Sequence, residues 1–402
     1  MKNLNIPVGI SDFEKIRREG FYYIDKTGLV KELLNPKPAE VTLITRPRRF
    51  GKTLAMSMLE NFFDIKKNSR DLFAGLEISA SEELCSRWMN QCPTVSLSFR
   101  QVDGLDFSSA YDMLTMVISN LFNRHRYLLE SQEISEFQKT AFVQIASQKA
   151  TAGEIKNSLI LLTDMMQTYY GKKVLLLVDE YDVPVAKANN NGYYEEMLDV
   201  MKGLMQALKD NRALGFAVVT GCMKIAKESI FTGTNNFVSD TIADSRLNEY
   251  FGFVQREVDQ ILADGEITDK RELIKQWYDG YHFGDWDVYC PWDVMNYVLE
   301  LQHNPQAKPA GYWKNTSDNA IIRSFIDYAG GSITRKLEIL MEGGYIIQQI
   351  DKNLTYDYLH SSEDNLWSVL YLTGYLTQVR SETLNRELPA GSAALQIPNA
   401  EI

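Results

Sequence analysis

A short turn between an apolar stretch and a helix-forming stretch carries the residue types that bind phosphate. The turn reads Thr45-Arg46-Pro47-Arg48-Arg49-Phe50-Gly51-Lys52-Thr53. In turns that end Gly-Lys-Thr, backbone N–H groups and the following helix N-terminus surround phosphate oxygens. The lysine neutralises the terminal phosphates and the threonine hydroxyl ligates Mg²⁺. We therefore expect Lys52 to bind the β- and γ-phosphates of a nucleoside triphosphate and Thr53 to bind the metal.

The residues predicted to contact the nucleotide are the turn and the first residues of the helix: Arg46, Pro47, Arg48, Arg49, Phe50, Gly51, Lys52, Thr53 and Leu54. The turn departs from the usual pattern because Arg46 stands where the first glycine is expected. Gly-Lys-Thr alone is a weak signal, and a solvated basic turn is the plain alternative. A cluster of positive charges in a chain of net charge −11 is nevertheless better explained by a polyanion facing the turn.

A second candidate set follows the continuous apolar run Val174-Leu175-Leu176-Leu177-Val178, which ends in Asp179-Glu180. An uninterrupted apolar run indicates a strand buried on both faces of a parallel sheet. Ligands bind at the carboxyl ends of such strands. Asp179 is therefore predicted to hold Mg²⁺ through water, and Glu180 to orient and deprotonate an attacking water. The alternative is that both acids simply end the strand, but the phosphate turn upstream favours the functional interpretation.

A third candidate follows the apolar stretch 214–221, whose last polar residue is Thr220. Its hydroxyl is predicted to contact the γ-phosphate or the attacking water, although a hydroxyl that merely closes a strand fits the spacing equally well. Lys224 fits either a phosphate contact or a helix surface. Together with Glu180 and Lys52, Thr220 completes the set of candidate catalytic residues.

The elements that must position these residues alternate along the first half of the chain. Strands are predicted at 41–45, 94–99, 173–180 and 214–221. Helices are predicted at 13–18, 28–34, from 54 onward, and at 108–130, 134–149, 154–170 and 193–209. This alternation is typical of an α/β fold with a parallel sheet and helices on both faces. The segment 1–40 is a candidate for folding over the nucleotide base, with ordinary packing as the simpler interpretation.

The second half shows no comparable catalytic spacing. The stretch Trp277-Tyr278-Asp279-Gly280-Tyr281-His282-Phe283-Gly284 is predicted to be a helix end and a turn, with its aromatic residues in a core. His282 has no second histidine near it, so metal ligation is not expected there. Helices at 321–329, 333–342 and 366–373, with strands at 345–350 and 375–379, predict a winged-helix-like unit. Without a dense basic helix, contact with protein is favoured over nucleic acid.

Length and composition indicate a globular protein of two or three domains, since 402 residues exceed one ordinary core. The longest aliphatic run is too short to span a membrane, and the N-terminus lacks the apolar core of a signal peptide. The scattered cysteines Cys85, Cys92, Cys222 and Cys290 are expected to be reduced thiols in a cytoplasm. The acidic charge argues against a protein that coats nucleic acid with its whole surface.

Several stretches together resemble the bacterial AAA-ATPase-like family over nearly the whole chain. They are Tyr23-Ile24-Asp25-Lys26-Thr27, the phosphate turn, Val178-Asp179-Glu180-Tyr181-Asp182, Thr220-Gly221, Trp277-Tyr278-Asp279-Gly280-Tyr281, Tyr312-Trp313-Lys314-Asn315-Thr316-Ser317 and Leu372-Thr373-Gly374-Tyr375-Leu376. The resemblance accounts for Arg46, because the family's phosphate loop lacks the first glycine. It departs at Lys224, where an arginine is expected, which puts arginine-type phosphate sensing there in doubt. It departs also at Cys290, where asparagine is commoner.

The resemblance implies a P-loop NTPase of the additional-strand, AAA-like class that binds ATP and Mg²⁺. We expect the ATPase domain at 1–245, a helical lid at 246–319 and a winged-helix-like domain at 320–402. The family typically continues into a nuclease-like domain of the PD-(D/E)XK superfamily. Its acid–acid–lysine set is not found in this chain, which is therefore expected to lack that domain.

Three functions remain open at this point. The first is an ATPase that drives an attached or partner nuclease or other effector. The second is a non-hydrolysing ATP switch that positions such a partner. The third is a P-loop phosphotransferase, disfavoured because no segment has the clustered arginines of a kinase lid. Arg212 and Arg246 are candidates for an arginine offered to a neighbour's nucleotide.

Overall fold

The computed structural model describes residues 2–35, 37–224, 237–313, 331–354, 362–384 and 387–402. The chain forms two compact units, each built from separated stretches. The first consists of Met1–Lys26, Thr45–Leu54 and Asp240–Ile402, and the second of Thr27–Ile44 and Ala55–Ser239. The phosphate turn thus belongs to the first unit and the acidic strand end to the second. The predicted division at 245 and 319 stays a prediction.

The second unit contains a five-stranded sheet, of which only the end residues Thr45 and Asp240 are counted with the first unit. Its strands are β1 (Val41–Thr45), β2 (Thr94–Ser98), β3 (Val174–Asp179), β4 (Leu214–Gly221) and β5 (Phe237–Asp240). The strand order is β2-β3-β4-β1-β5, and β3 pairs in parallel with both β2 and β4. Every residue of β1 and β3 is buried, as a sheet covered on both faces requires. The predicted α/β fold with a parallel sheet is confirmed.

Helices flank this sheet, and those between residues 107 and 204 share one apolar core with it. Those before β3 are α2 (Gly28–Leu34), α3 (Lys52–Phe63), α4 (Arg70–Phe73), α5 (Glu82–Trp88), α6 (Phe107–Arg124), α7 (Glu136–Ala146), α8 (Ala152–Lys156) and α9 (Ser158–Tyr170). After β3 come α10 (Val183–Asn191) and α11 (Tyr194–Leu204). Asp106 begins α6 with a capping box, and Gly171 ends α9 in the left-handed conformation, as its position predicts.

Several predicted helices have different limits. The helix predicted at 108–130 ends at Arg124 and continues as a 3₁₀ turn from Arg126 to Glu130. The helix predicted at 154–170 is two helices, because Asn157 ends one and starts the next. Helix α10 was not predicted, since its asparagine-rich end resembles a loop. Helix α3 begins at Lys52 and not at Leu54, so the lysine lies in its first turn.

The first unit contains α1 (Phe13–Arg18) and the elements of the second half of the chain. Helix α1 has its predicted limits, and the Asp12 side chain caps it. The later elements are α12 (Gln255–Asp264), α13 (Arg271–Tyr278), β6 (Tyr281–Phe283), β7 (Trp286–Val288), α14 (Pro291–His303), α15 (Gly331–Met341), β8 (Ile346–Gln349), α16 (Glu363–Leu372), β9 (Thr377–Gln378) and β10 (Ser392–Gln396).

The aromatic stretch after Trp277 forms a β-hairpin, whereas a simple turn between helices was predicted. Strands β6 and β7 pair antiparallel, with Tyr281 opposite Val288. Gly280 precedes the hairpin at φ 111°, and a Cβ there would collide with the Pro398 carbonyl oxygen. A run of only three residues per strand is too short to show an alternating pattern.

The last part of the chain forms a three-stranded antiparallel sheet of order β8-β10-β9. The strands and helices predicted between 333 and 379 are present with limits shifted by a few residues, while the helix predicted at 321–329 lies outside the described residues. The apolar terminal stretch supplies the central strand β10. The winged-helix assignment stays a prediction. Across the described ranges, every helix is too short or too polar to cross a bilayer.

Candidate functional site

Two residues of the phosphate turn adopt left-handed backbone conformations just before helix α3. Arg49 and Gly51 both adopt positive φ, at 73° and 88°, and α3 starts at the next residue and runs for 12 residues. A Cβ placed on Gly51 would meet no atom within 4 Å, so open space lies beside the loop. Because the first backbone N–H groups of a helix have no partner inside the helix, they suit an anion such as phosphate.

Lys52 lies with its ammonium group against the start of the loop. The side chain is only 6% exposed, and Nζ donates hydrogen bonds of 2.8 Å to the carbonyl oxygens of Arg46 and Pro47. The lysine therefore closes the loop on itself in this structure. Because an ammonium group donates hydrogen bonds to any suitable oxygen, a phosphate oxygen can replace one of these carbonyls.

The Arg46 side chain anchors the start of the loop. Its guanidinium is fully buried and forms a 2.5 Å ion pair with Asp240. It also donates hydrogen bonds to the carbonyl oxygens of Thr45 and Arg246, and stacks on the ring of Phe251. Both terminal nitrogens of the Arg46 guanidinium are thus bonded to protein groups, and its predicted contact with the nucleotide stays a prediction. The Arg246 backbone is held by the same guanidinium.

The remaining loop residues contact aromatic side chains of the second half of the chain. The Arg49 guanidinium lies 4.0 Å from the centre of the Trp292 ring. Phe50 is buried against Tyr281 and Phe283, each ring centre 5.0 Å away. The indole nitrogen of Trp313 donates to the Arg48 carbonyl oxygen. The sequence predicted Tyr281 and Phe283 in a core but gave no signal that this core contacts the loop.

Asp179 is held by hydroxyl groups from both neighbouring strands. Its Oδ1 accepts a 2.5 Å hydrogen bond from the Thr220 hydroxyl of β4, and its Oδ2 accepts a longer one from Ser98 of β2. The carboxylate is 4% exposed and lies at the carboxyl end of β3. Ser98 was missed, although its place as the last residue of an alternating strand was a usable signal.

Glu180 leaves the strand in a strained conformation. Its φ is 52°, which is uncommon for a residue with a side chain and concentrates at functional sites. The side chain is half-buried. The separate roles predicted for Glu180 and Asp179 stay predictions.

Tyr181 and Asp182 hold the chain that leaves β4. Asp182 Oδ2 accepts hydrogen bonds of 2.9 Å from the backbone N–H groups of Cys222 and Met223. The Tyr181 hydroxyl donates to the Met223 carbonyl oxygen, and its backbone N–H donates to that of Thr220. These contacts fix the segment that carries Thr220. Sequence reasoning gave neither residue a role.

Asp179 has the donor chemistry that Mg²⁺ prefers. Mg²⁺ usually takes one or two carboxylates and completes its shell with water and phosphate oxygens. Asp179 offers such a carboxylate, already oriented by two hydroxyls. Thr53, in the first unit, is half-buried in the first turn of α3. Within the described part of the chain, no three His, Cys, Asp or Glu side chains gather in one metal site.

Comparison with known proteins places the chain in a family. A family model described as "Predicted AAA-ATPase" matches residues 7–231, which is more than half of the chain. The chain belongs to the AAA-ATPase-like family. The matched region contains the phosphate loop, Asp179, Glu180 and Thr220, so the resemblance inferred from the sequence motifs is confirmed.

One relative extends beyond the region matched by the AAA-ATPase-like model. It is a protein of Azotobacter chroococcum mcd 1, described as "Uncharacterized protein in vnfD 5'region". It is 26% identical over 409 residues, which cover 100% of this chain and 69% of the relative. No solved structure matches the chain. Membership of the AAA-ATPase-like family suggests the use of a nucleotide and a metal.

Proposed function

We propose that this protein binds ATP with Mg²⁺, hydrolyses it, and uses the cycle as a switch or motor for an attached or partner effector domain. The observation that carries the proposal is the strand order of the sheet. Strand β4 lies between β1 and β3, which is the order expected of the additional-strand class. The phosphate loop follows β1 directly and the two acids end β3, so both follow carboxyl ends of strands in one sheet.

Each candidate residue has a chemical task in this proposal. The loop N–H groups and Lys52 bind phosphate oxygens, with Arg46–Leu54 as the lining. Thr53 and Asp179 hold Mg²⁺, which when bound neutralises charge on the phosphates. Glu180 takes a proton from the attacking water, and its left-handed backbone sets the direction of its carboxylate.

Thr220 has a task that follows from its hydrogen bond. Its hydroxyl donates to Asp179 Oδ1, so it orients the metal-binding carboxylate. The role of a γ-phosphate sensor remains part of the proposal. Partners of metal ligands typically change metal affinity by 10–100-fold when removed, which is enough for Thr220 to influence turnover without touching the nucleotide.

We extend the proposal to the two regions that would couple ATP hydrolysis to a partner. Residues 246–319, with α12, α13 and α14, are proposed as a helical lid, and 320–402 as a winged-helix-like domain that contacts a protein partner. The antiparallel sheet of β8, β9 and β10 beside α15 and α16 supports the second assignment. A nuclease-like effector is the partner that the family resemblance suggests.

The test separates an ATPase from a non-hydrolysing switch. Glu180→Gln should keep ATP affinity within about threefold and lower phosphate release at least 100-fold, the range expected when a general base is lost. Lys52→Ala is the control that should lose binding itself. If the wild type binds ATP but releases no phosphate, the protein is a non-hydrolysing switch and not an ATPase. Phosphate transferred to an acceptor molecule would indicate a phosphotransferase.

A further inference from the structure

The left-handed residue at position 49 needs support from its surroundings. Arg49 has φ 73°, a conformation that glycine adopts freely and other residues adopt at a cost. Such a conformation persists only where neighbouring groups determine it. Gly51 and Lys52 follow two and three residues later, so the backbone direction at Arg49 influences where their N–H groups point.

Helix α14 supplies that support at both ends of the arginine. The Arg49 guanidinium stacks on Trp292 at 4.0 Å, and the Arg49 carbonyl oxygen accepts a hydrogen bond from the Cys290 thiol at 3.8 Å. Cys290 is the N-cap of α14 and Trp292 lies in its first turn. The Trp292 ring is itself oriented, because its indole nitrogen donates to the Tyr312 carbonyl oxygen.

Neighbouring loop residues are held by the same part of the chain. Phe50 packs between Tyr281 and Phe283, and the Arg48 carbonyl accepts from Trp313. Trp292 differs from these because it contacts the charged side chain of the strained residue. A guanidinium over an indole face is attracted by the ring's negative charge distribution, and the attraction grows where water is excluded.

We propose that Trp292 is a positioning residue for the phosphate loop: its stacking on Arg49 holds the left-handed turn, so the loop's affinity for a triphosphate depends on helix α14. The link to ATP rests on the function proposed above. The effect of Trp292 on the conformation of the loop does not rest on that function, and it can be measured without nucleotide.

A double-mutant cycle tests the dependence. Trp292→Ala should speed amide hydrogen exchange across residues 46–54 without nucleotide and raise the dissociation constant for ATP·Mg about tenfold. Trp292→Phe keeps an aromatic face and should stay near the wild type. In the Arg49→Gly background the turn needs no support, so adding Trp292→Ala should change either quantity less than about twofold. Trp277→Ala, on a tryptophan whose ring neighbour is Tyr278, is the matched control.

A second pair of variants leaves α14 intact. Arg49→Ala loses the stacking but keeps the unfavourable φ, whereas Arg49→Gly loses both, so the alanine variant should exchange faster and bind ATP·Mg more weakly than the glycine variant. Equal behaviour of these two, or equal effects of Trp292→Ala in both backgrounds, would overturn the inference. Should the wild type fail to bind ATP, the proposed function falls, and the exchange measurements alone still decide whether Trp292 holds the loop.

Discussion

The Arg46–Asp240 pair offers the sharpest test of how the phosphate loop is anchored. Asp240→Ala removes the carboxylate that faces a guanidinium with no exposure to solvent. Burial lowers the pKa of Arg46 and raises the pKa of Asp240, so desolvation outweighs the attraction between them. The pair therefore resembles buried pairs that stabilise little as a unit but cost much when one partner is lost.

The expected cost follows from what remains around Arg46. Breaking a buried pair costs about 3–5 kcal/mol. The carbonyl oxygens of Thr45, Asp240 and Arg246 and the Phe251 ring stay in place, so we expect the lower end, about 3 kcal/mol. A domain of 150–250 residues melts about 2–4 °C lower for each kcal/mol, which predicts a fall of about 6–12 °C.

The assay is thermal and urea unfolding of the wild type, Asp240→Ala and the double variant Arg46→Met/Asp240→Leu. The double variant removes both charges and should be less destabilised than Asp240→Ala, because no unpaired charge stays buried. A single variant within 1 kcal/mol of the wild type would refute the reasoning. So would a double variant that is destabilised as much as the single one.

Three further predictions concern other buried polar groups. Thr220→Val keeps the side-chain shape but loses the hydrogen bond to Asp179. It should raise the Mg²⁺ concentration needed for half-maximal ATP binding about tenfold, measured by metal titration. An unchanged half-maximal concentration would contradict this. Asp182→Ala leaves the backbone N–H groups of Cys222 and Met223 without their acceptor and should lower the free energy of unfolding in urea by about 2 kcal/mol. Asp182→Asn should lower it less. Equal losses in the two variants would show that these hydrogen bonds do not stabilise the fold. Burial raises the pKa of Asp293 well above its usual value. Its ionisation therefore opposes folding once the pH exceeds the pKa that Asp293 has in the unfolded chain, and Asp293→Asn should raise the melting temperature more at pH 8 than at pH 4. A larger gain at pH 4 would contradict a raised pKa of Asp293 in the folded protein.

The first half of the fold follows closely from the sequence. Strand β3 follows a continuous apolar run, which indicates a strand buried on both faces of a parallel sheet. Helix α1 begins after Asp12 and α9 ends at Gly171, where cap residues mark the ends chemically. Because these sequence signals are local, they predict the elements without knowledge of the tertiary contacts.

The second half was harder because its signals are not local. The hairpin of β6 and β7 is short, and β10 joins its sheet from a distant part of the chain. The residues around the phosphate loop show the same limit. The buried ion pair of Arg46 with Asp240 was not predicted, because no spacing rule connects these two residues. The contact of Trp292 with Arg49 is likewise visible only in three dimensions.

The most direct test of the account is an equilibrium titration of the wild type and Lys52→Ala with ATP·Mg, with adenosine as the control ligand. The wild type should bind ATP·Mg and not adenosine, because the phosphates supply the recognition. Loss of the ammonium group should weaken binding about 100-fold, the value of charge-assisted contacts to a phosphate. Equal affinity of both proteins for ATP·Mg would contradict the central claim that this loop binds the triphosphate.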